Sequence, residues 1–155
     1  MATLSIGVDA ELYKQLLAHF TTTWSAVGYL TGLMASLTYQ PMAVSTVRRG
    51  KEMGGNVLGV DEVPQVWLAL TTSWANAADD AVVISTVLGL IDDMAAIAEK
   101  KGLLMPNLYL NDAAADQDVI NSYGHENVKF LKKVAKKYDP DAVFQTLSRG
   151  GFKLP

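Results

Sequence analysis

Apolar and polar residues follow one another in two rhythms along this chain. From Asp9 onward, Leu12, Leu16, Phe20 and Trp24 recur every fourth position, with Leu17 beside them. That spacing lines one face of an amphipathic helix. Asp9 is its expected N-cap, and Gly28 and Gly32 its end. Residues 35–46 change to alternation, Leu37 and Tyr39 against Ser36, Thr38 and Gln40, and predict a strand. Pro41 has no N–H to give to a ladder, so that strand ends, bulges or lies at an edge there. Val66 to Trp74 alternates most clearly. Val66, Leu68, Leu70 and Trp74 fall on one face, and Trp67, Ala69, Thr71 and Ser73 on the other.

A second helical rhythm runs over roughly 79–100. Val83, Val87, Leu90, Met94 and Ile97 form its stripe, Asn76 or Asp79 its cap, and Gly102 its stop. Leu108 to Asn111 reads as a short strand. Ser122 is expected to open a third helix with Val128, Leu131, Val134 and Ala135 inward and a lysine row outward. Asp139-Pro140 starts a last turn. The order α-β-β-α-β-α-α predicts an α+β fold, a small antiparallel or mixed sheet with helices packed on one face. Leu37, Leu68, Leu70, Leu108 and Leu110 are expected to face the helices. Thr38, Gln40, Trp67, Thr71, Ser73, Tyr109 and Asn111 are expected to face away. Trp67 and Tyr109 are large for a wet face, so that face should form a pocket or a dimer interface.

Length and composition narrow the function classes. The 155 residues make one domain, and half of them are apolar. The net charge of −3 leaves no electrostatic footprint for nucleic acid or an anionic membrane. With no cysteine there is no disulfide framework, thiolate nucleophile or iron–sulfur site. His19 and His125 are too few for a typical zinc site. Residues 1–30 carry no signal-peptide pattern, and no uninterrupted apolar stretch matches a membrane span. The expectation is a cytoplasmic protein.

Several short motifs follow one another. They are Gly54-Gly55-Asn56-Val57-Leu58-Gly59, Ser73-Trp74 with Ala78-Asp79-Asp80, and Tyr109-Leu110-Asn111. Ser122-Tyr123-Gly124-x-Glu126-Asn127, Lys137 to Gln145 and Gly150 to Leu154 complete the series. Their order and spacing resemble the C-terminal part of fungal FAD-linked oxidases of the berberine-bridge-enzyme-like group, through most of the chain. The resemblance implies part of a substrate domain, an antiparallel sheet backed by helices, with a tail that returns to the flavin domain. It also implies a Tyr-x-Asn segment facing flavin and substrate, and small-molecule oxidation in fungal secondary metabolism. The family's flavin-binding half has no counterpart here. Gly54-Gly55 is not a GxGxxG turn between strand and helix. A Met start followed by a well-capped helix suggests a free-standing protein. The expectation is therefore an enzyme without a cofactor, carrying out a non-redox cyclisation or isomerisation of an aromatic or polyketide-like molecule. Its alternative is a non-catalytic binding or accessory module.

Such chemistry needs shape and a few donors. Tyr109 is the candidate donor to a carbonyl or phenolate, and Arg48 or Arg49 the candidate support for an enolate. His19 is a candidate acid–base, although its place beside the first apolar stripe also suits a boundary residue. Asn111, Gln40, Thr38, Thr71 and Ser73 are candidates to orient substrate oxygens, and Trp67 and Tyr39 to stack on a ring. The glycine-rich stretch 48–56 is read as a loop, either merely solvated or gripping an anion. Trp24 and Trp74 are read as core, and Tyr138 and Phe144 as packing. A small hydrophobic substrate and a second copy of the chain are the expected partners.

Overall fold

A computed structural model describes all 155 residues. Its first element is one that the hydrophobic pattern did not single out. Residues Ala2–Gly7 form strand β1, buried throughout. Then follow α1 (Ala10–Val27), β2 (Met34–Met42), α2 (Val44–Glu52), β3 (Gln65–Ser73) and α3 (Asp80–Lys100). The two-residue strand β4 (Leu104–Met105) and the short helices α4 (Val119–Ser122), α5 (His125–Tyr138) and α6 (Val143–Thr146) complete the chain. The four strands form one sheet in the order β2-β3-β1-β4, with every pairing antiparallel. This is the expected α+β fold.

Strand β1 sits inside that sheet, where alternation serves two buried faces at once. Ala2, Leu4 and Ile6 join Val66, Leu68 and Leu70 of β3 in the core. Thr3 and Ser5 lie on the opposite face and are buried as well. On the core side, Leu12, Leu16 and Trp24 of α1 and Val83, Val87, Leu90, Ile91 and Met94 of α3 cover the sheet. Burial of a Leu or Ile side chain is worth about 1.5–3 kcal/mol, so this layer dominates stability. Two of the predicted helix ends hold, whereas Asp79 stands at the start of α3 without a side-chain capping bond. Asp9 Oδ1 accepts from the Leu12 N–H at 2.6 Å, and Gly102 ends α3 at φ +66°. The span Ala77–Lys100 is long and apolar enough by composition to cross a bilayer, although its charged residues leave no uninterrupted apolar run. In this fold its apolar stripe lies against the sheet.

Other expectations need correction. Strand β2 stops at Met42, and Val44–Glu52 is helical instead of strand and loop. Arg49 and Lys51 in the last turn of α2 suit its dipole. Pro41 lies inside β2, which is an edge strand, as a missing N–H requires. Leu108–Asn111 is not a strand. Leu110–Asp112 is a single 3-10 turn preceded by Tyr109, and Leu110 is exposed. Ser122 ends α4 instead of opening the long helix, because Gly124 at φ 89° breaks the chain before His125. Val134, Tyr138 and Phe144 are exposed, since α5 rests on the body along one side only, through Val128.

Candidate functional site

The outer face of the sheet is where the predicted polar residues gather, and half of it is already covered. Segment 107–118 crosses it. The Tyr109 ring stacks on Trp67 with centroids 4.7 Å apart and planes 28° apart. Gln40 Nε2 donates to Asp112 Oδ2 at 2.6 Å. Gln117 meets the backbone of Thr3 through both ends of its amide. Trp67 is only 6% exposed as a result. An aromatic indole on a sheet's outer face needs such a cover, and the chain provides it from its own later residues.

Trp67 is also held from below. Its Nε1–H donates to Gln65 Oε1 at 3.0 Å, and Gln65 Nε2 donates to the Asp61 carbonyl at 2.8 Å. Gln65 sits two residues before Trp67, hence on the same strand face, and is itself buried. The indole is therefore fixed by a hydrogen bond on one edge and a stacked phenol on its face.

Above the stack, Asn111 Nδ2 donates to the Tyr109 hydroxyl oxygen at 2.8 Å. The phenol oxygen thus acts as acceptor, and its own proton remains available to an incoming acceptor. Beyond this pair the outer face is open. Ser36 faces Thr71 across the β2–β3 ladder, Thr38 faces Ala69, and Met34 faces Ser73. Ser36, Thr38, Thr71 and Ser73 are exposed. A shallow hollow of about 230 Å³ lies at Ser36, Thr71 and Ser73. Tyr109, Asn111, Gln40, Thr38, Trp67, Thr71 and Ser73 therefore belong to one face, as alternation and the Tyr-x-Asn segment led us to expect. Tyr109 and Asn111 reach it from a turn and not from a strand.

Four candidates lie elsewhere. Tyr39 is on the helical side, edge to face with Tyr13 at 5.3 Å, and its hydroxyl donates to the Tyr13 carbonyl at 3.1 Å. Burial, and secondarily the neighbouring Tyr13, push its pKa above the usual tyrosine value. It cannot stack on a ring beside Trp67, because successive residues of a strand point to opposite faces. His19 Nε2 lies 3.1 Å from Asp93 Oδ2 and joins α1 to α3 on the far layer. Arg48 donates to Glu62 Oε1 at 2.7 Å with Lys51 at 3.3 Å from the same carboxylate, and Arg49 pairs with Glu52 at 3.1 Å. These arginines are side chains of an ion-paired helix and do not reach the outer face. Hydrogen bonds from Arg48 and then Lys51 hold the Glu62 carboxyl below its ordinary pKa.

Just beyond the glycine-rich stretch 48–56 the chain is held by structural contacts. Asn107 Nδ2 donates to the Leu58 carbonyl at 2.5 Å, and Gly59, at φ +67°, lies against the Tyr123 carbonyl. Gln65, Asp112 and Gln117 are the site residues that sequence reasoning missed. Gln65 had a signal, its i,i+2 relation to Trp67. The other two had none, because their partners are distant in sequence.

Comparison with known proteins gives the setting of this site. No family model and no solved structure matches the chain. An FAD-dependent monooxygenase of Arthrobotrys oligospora is 34% identical over 166 aligned positions, covering 98% of this chain and 32% of that protein. Another FAD-dependent monooxygenase, from Fusarium proliferatum, is 43% identical over 120 positions, covering 76% of this chain and 23% of that protein. The bifunctional solanapyrone synthase of Alternaria solani is 33% identical over 153 positions, covering 99% and 30%. The chain spans about a third or less of these curated relatives. It is a partial homologue of larger fungal enzymes of secondary metabolism.

The relatives' names imply FAD. A pyrophosphate is held by backbone N–H groups at a helix N-terminus. Here Gly54 and Gly55 follow the C-terminal end of α2, and the adjacent Lys51 is engaged by Glu62. The two clefts of about 580 Å³ carry no arginine, and their one cationic side chain, Lys14, lies on a helix side and not at a helix N-terminus. The residues of this chain do not fit the pyrophosphate half of FAD. The chemistry considered below rests on its own side chains.

Proposed function

We propose that this chain is the substrate-binding part of an enzyme of fungal-type secondary metabolism. It receives an aromatic or polyketide-like molecule on the open part of its outer sheet face, and it promotes a non-redox cyclisation or isomerisation there. One observation carries the reading: the Tyr109 phenol is stacked on a fixed Trp67 and accepts from Asn111, so its own O–H is left to donate to an incoming acceptor.

The chemistry follows from that arrangement. A substrate carbonyl accepts from the Tyr109 O–H. As negative charge gathers on the carbonyl oxygen, the Asn111 amide supports the phenol oxygen that must share it. Thr71 and Ser73 orient further oxygens, and the rigid stack keeps the donor from following the substrate's motion. Bonds rearrange within the substrate, so no oxidant is consumed. A synthase among the relatives agrees with chemistry other than oxygen insertion. A second reading, binding without turnover, is favoured by the placement of Arg48, Arg49 and His19 in ion pairs away from this face.

The test uses the full chain and 1-hydroxy-2-acetonaphthone as a phenolic ketone probe. Saturable quenching of tryptophan fluorescence is expected, with amide shifts at Thr71, Ser73 and Asn111. Tyr109→Phe should weaken binding about tenfold while circular dichroism stays unchanged. A linear substrate with a conjugated diene and an enone then reports turnover. A rate and product chirality equal to those in buffer would favour the binding module, and absent quenching would sink both readings.

A further inference from the structure

A second site lies on the other side of the sheet. Where α1 passes the end of β2, a cleft of about 580 Å³ opens between Tyr13, Lys14, Leu17, Tyr39, Met42 and Val66. That volume falls within the ~300–1,000 Å³ of small-molecule sites. Its walls are almost wholly apolar, and Leu17 at the mouth is 51% exposed, so apolar surface stands unpartnered there. Tyr39 and Val66 belong to the helical face, whereas Thr71, Ser73 and Trp67 belong to the outer one. The cleft opens away from Thr71, Ser73 and Tyr109, and of the residues described above it shares Gln65 and Tyr39.

The two tyrosines of the cleft differ in one respect. The Tyr39 hydroxyl is used, donating to the Tyr13 carbonyl at 3.1 Å. The Tyr13 hydroxyl is buried and has no hydrogen-bond partner. A buried phenol O–H without an acceptor costs free energy that a phenylalanine would not. The same ring packing, edge to face on Tyr39, is open to either residue. An acceptor arriving from outside the chain accounts for the hydroxyl. Lys14 also lines the cleft; its exposed ammonium lies 3.9 Å from Glu11 Oε2, a weak surface pair that leaves it able to meet an oxygen bearing partial or full negative charge.

We propose that this cleft binds a small, mainly apolar molecule carrying one hydrogen-bond-accepting oxygen, a ketone or a carboxylate, which accepts from the Tyr13 hydroxyl. The apolar part occupies the space between Leu17, Met42 and Val66. The oxygen sits at the tyrosine end, within reach of Lys14.

The proposal is tested on the full chain by amide NMR titration with 2-nonanone and, separately, octanoate. Saturable shifts are expected at Tyr13, Leu17, Met42 and Val66, with Thr71, Ser73 and Asn111 unmoved. Tyr13→Phe should lower affinity about tenfold and at the same time raise the thermal midpoint, because it removes an unsatisfied donor. Lys14→Gln weakening octanoate alone assigns a carboxylate ligand. Preference for 2-nonanone, unchanged in Lys14→Gln, assigns a neutral carbonyl. Absence of saturable shifts with either probe overturns the proposal, as does unchanged affinity in Tyr13→Phe. Sedimentation showing a dimer that Leu17→Asp dissociates, with neither probe binding, overturns it in favour of a second copy as the occupant. Each result stands apart from that of the phenolic probe on the outer face.

Discussion

The side chain of Gln117 behaves as a strand toward Thr3. Its Oε1 accepts from the Thr3 N–H at 3.0 Å, and its Nε2 donates to the Thr3 carbonyl at 2.7 Å. Strand β4 pairs with β1 only at Ser5 and Ile6. Beyond that point the edge of β1 has no neighbouring strand, and one primary amide supplies both missing ladder bonds. The same Oε1 accepts from the Ala114 N–H at 2.9 Å, which ties segment 107–118 to the sheet.

Replacing Gln117 should therefore cost more than an ordinary surface change. Gln117→Glu keeps the shape but removes the donor and sets a carboxylate against the Thr3 carbonyl. Destabilisation of about 1–3 kcal/mol is expected in urea unfolding near neutral pH, with faster hydrogen exchange at the Thr3 amide. Equal stability of Gln117→Glu and wild type would contradict the role given to this amide.

The stack of Tyr109 on Trp67 separates a structural role from a chemical one. Tyr109→Phe retains the ring and should change stability little while weakening the phenolic probe. Tyr109→Ala removes the pair and should lose about 0.5–1.5 kcal/mol beyond the buried area, with a shift of the Trp67 emission maximum. Were Tyr109→Phe to bind the probe as wild type does, the hydroxyl would have no part in recognition.

Gly59 is held by backbone on two counts. It sits at φ +67°, and a Cβ there would collide with the Tyr123 carbonyl. Gly59→Ala is expected to destabilise by more than about 1 kcal/mol and to loosen the Asn107–Leu58 contact, read as lost protection in hydrogen exchange. Gly54→Ala, where a Cβ meets nothing within 4 Å, should show only the conformational part of that effect.

Three pKa shifts set opposite ends of the pH profile. The Glu62 pKa is depressed in the folded chain, chiefly by the Arg48 hydrogen bond and then by Lys51. Its contribution is present above the unfolded carboxylate pKa and fades as pH falls through the lower folded value. Arg48→Gln should move the Glu62 carboxyl resonance midpoint upward in an NMR titration. Tyr39 and Tyr123 have raised values through burial. Their contribution is full below about pH 10, the ordinary tyrosine value, and is lost as pH climbs toward the folded values. Absorbance at the phenolate band should show these two ionising above the ordinary tyrosine value.

Much of this architecture is legible in local pattern. The stripe of Leu12, Leu16 and Trp24, the alternation of Val66 to Leu70, the Asp9 cap and the Gly102 stop all depend on residues a few positions apart. Strand β1 was hidden for a related reason. It is six residues long, and its small polar residues Thr3 and Ser5 are buried by a cover that lies 100 positions away. The outer face was identified by alternation alone, yet its occupants Tyr109 and Asn111 come from a turn.

What the amino-acid order determined by itself was the layer structure: which residues of each long element turn to the core, because periods of 2 and 3.6 are properties of the backbone. The pairing of β2 with β3 then decided that Tyr39 and Trp67 stand on opposite sides of the sheet, since their registered partners are Leu68 and Gln40. Tertiary structure alone decided which polar groups remain available. Arg48, Arg49 and His19 carry suitable chemistry, but carboxylates brought from α2, α3 and the loop at Glu62 engage them. The long-range contacts of Gln117 and Asp112 likewise close one half of the outer face and leave the other open. Apart from the local Arg49–Glu52 pair, those choices rest on pairings between residues 14 to 114 positions apart, whose geometry exists only once the chain has folded.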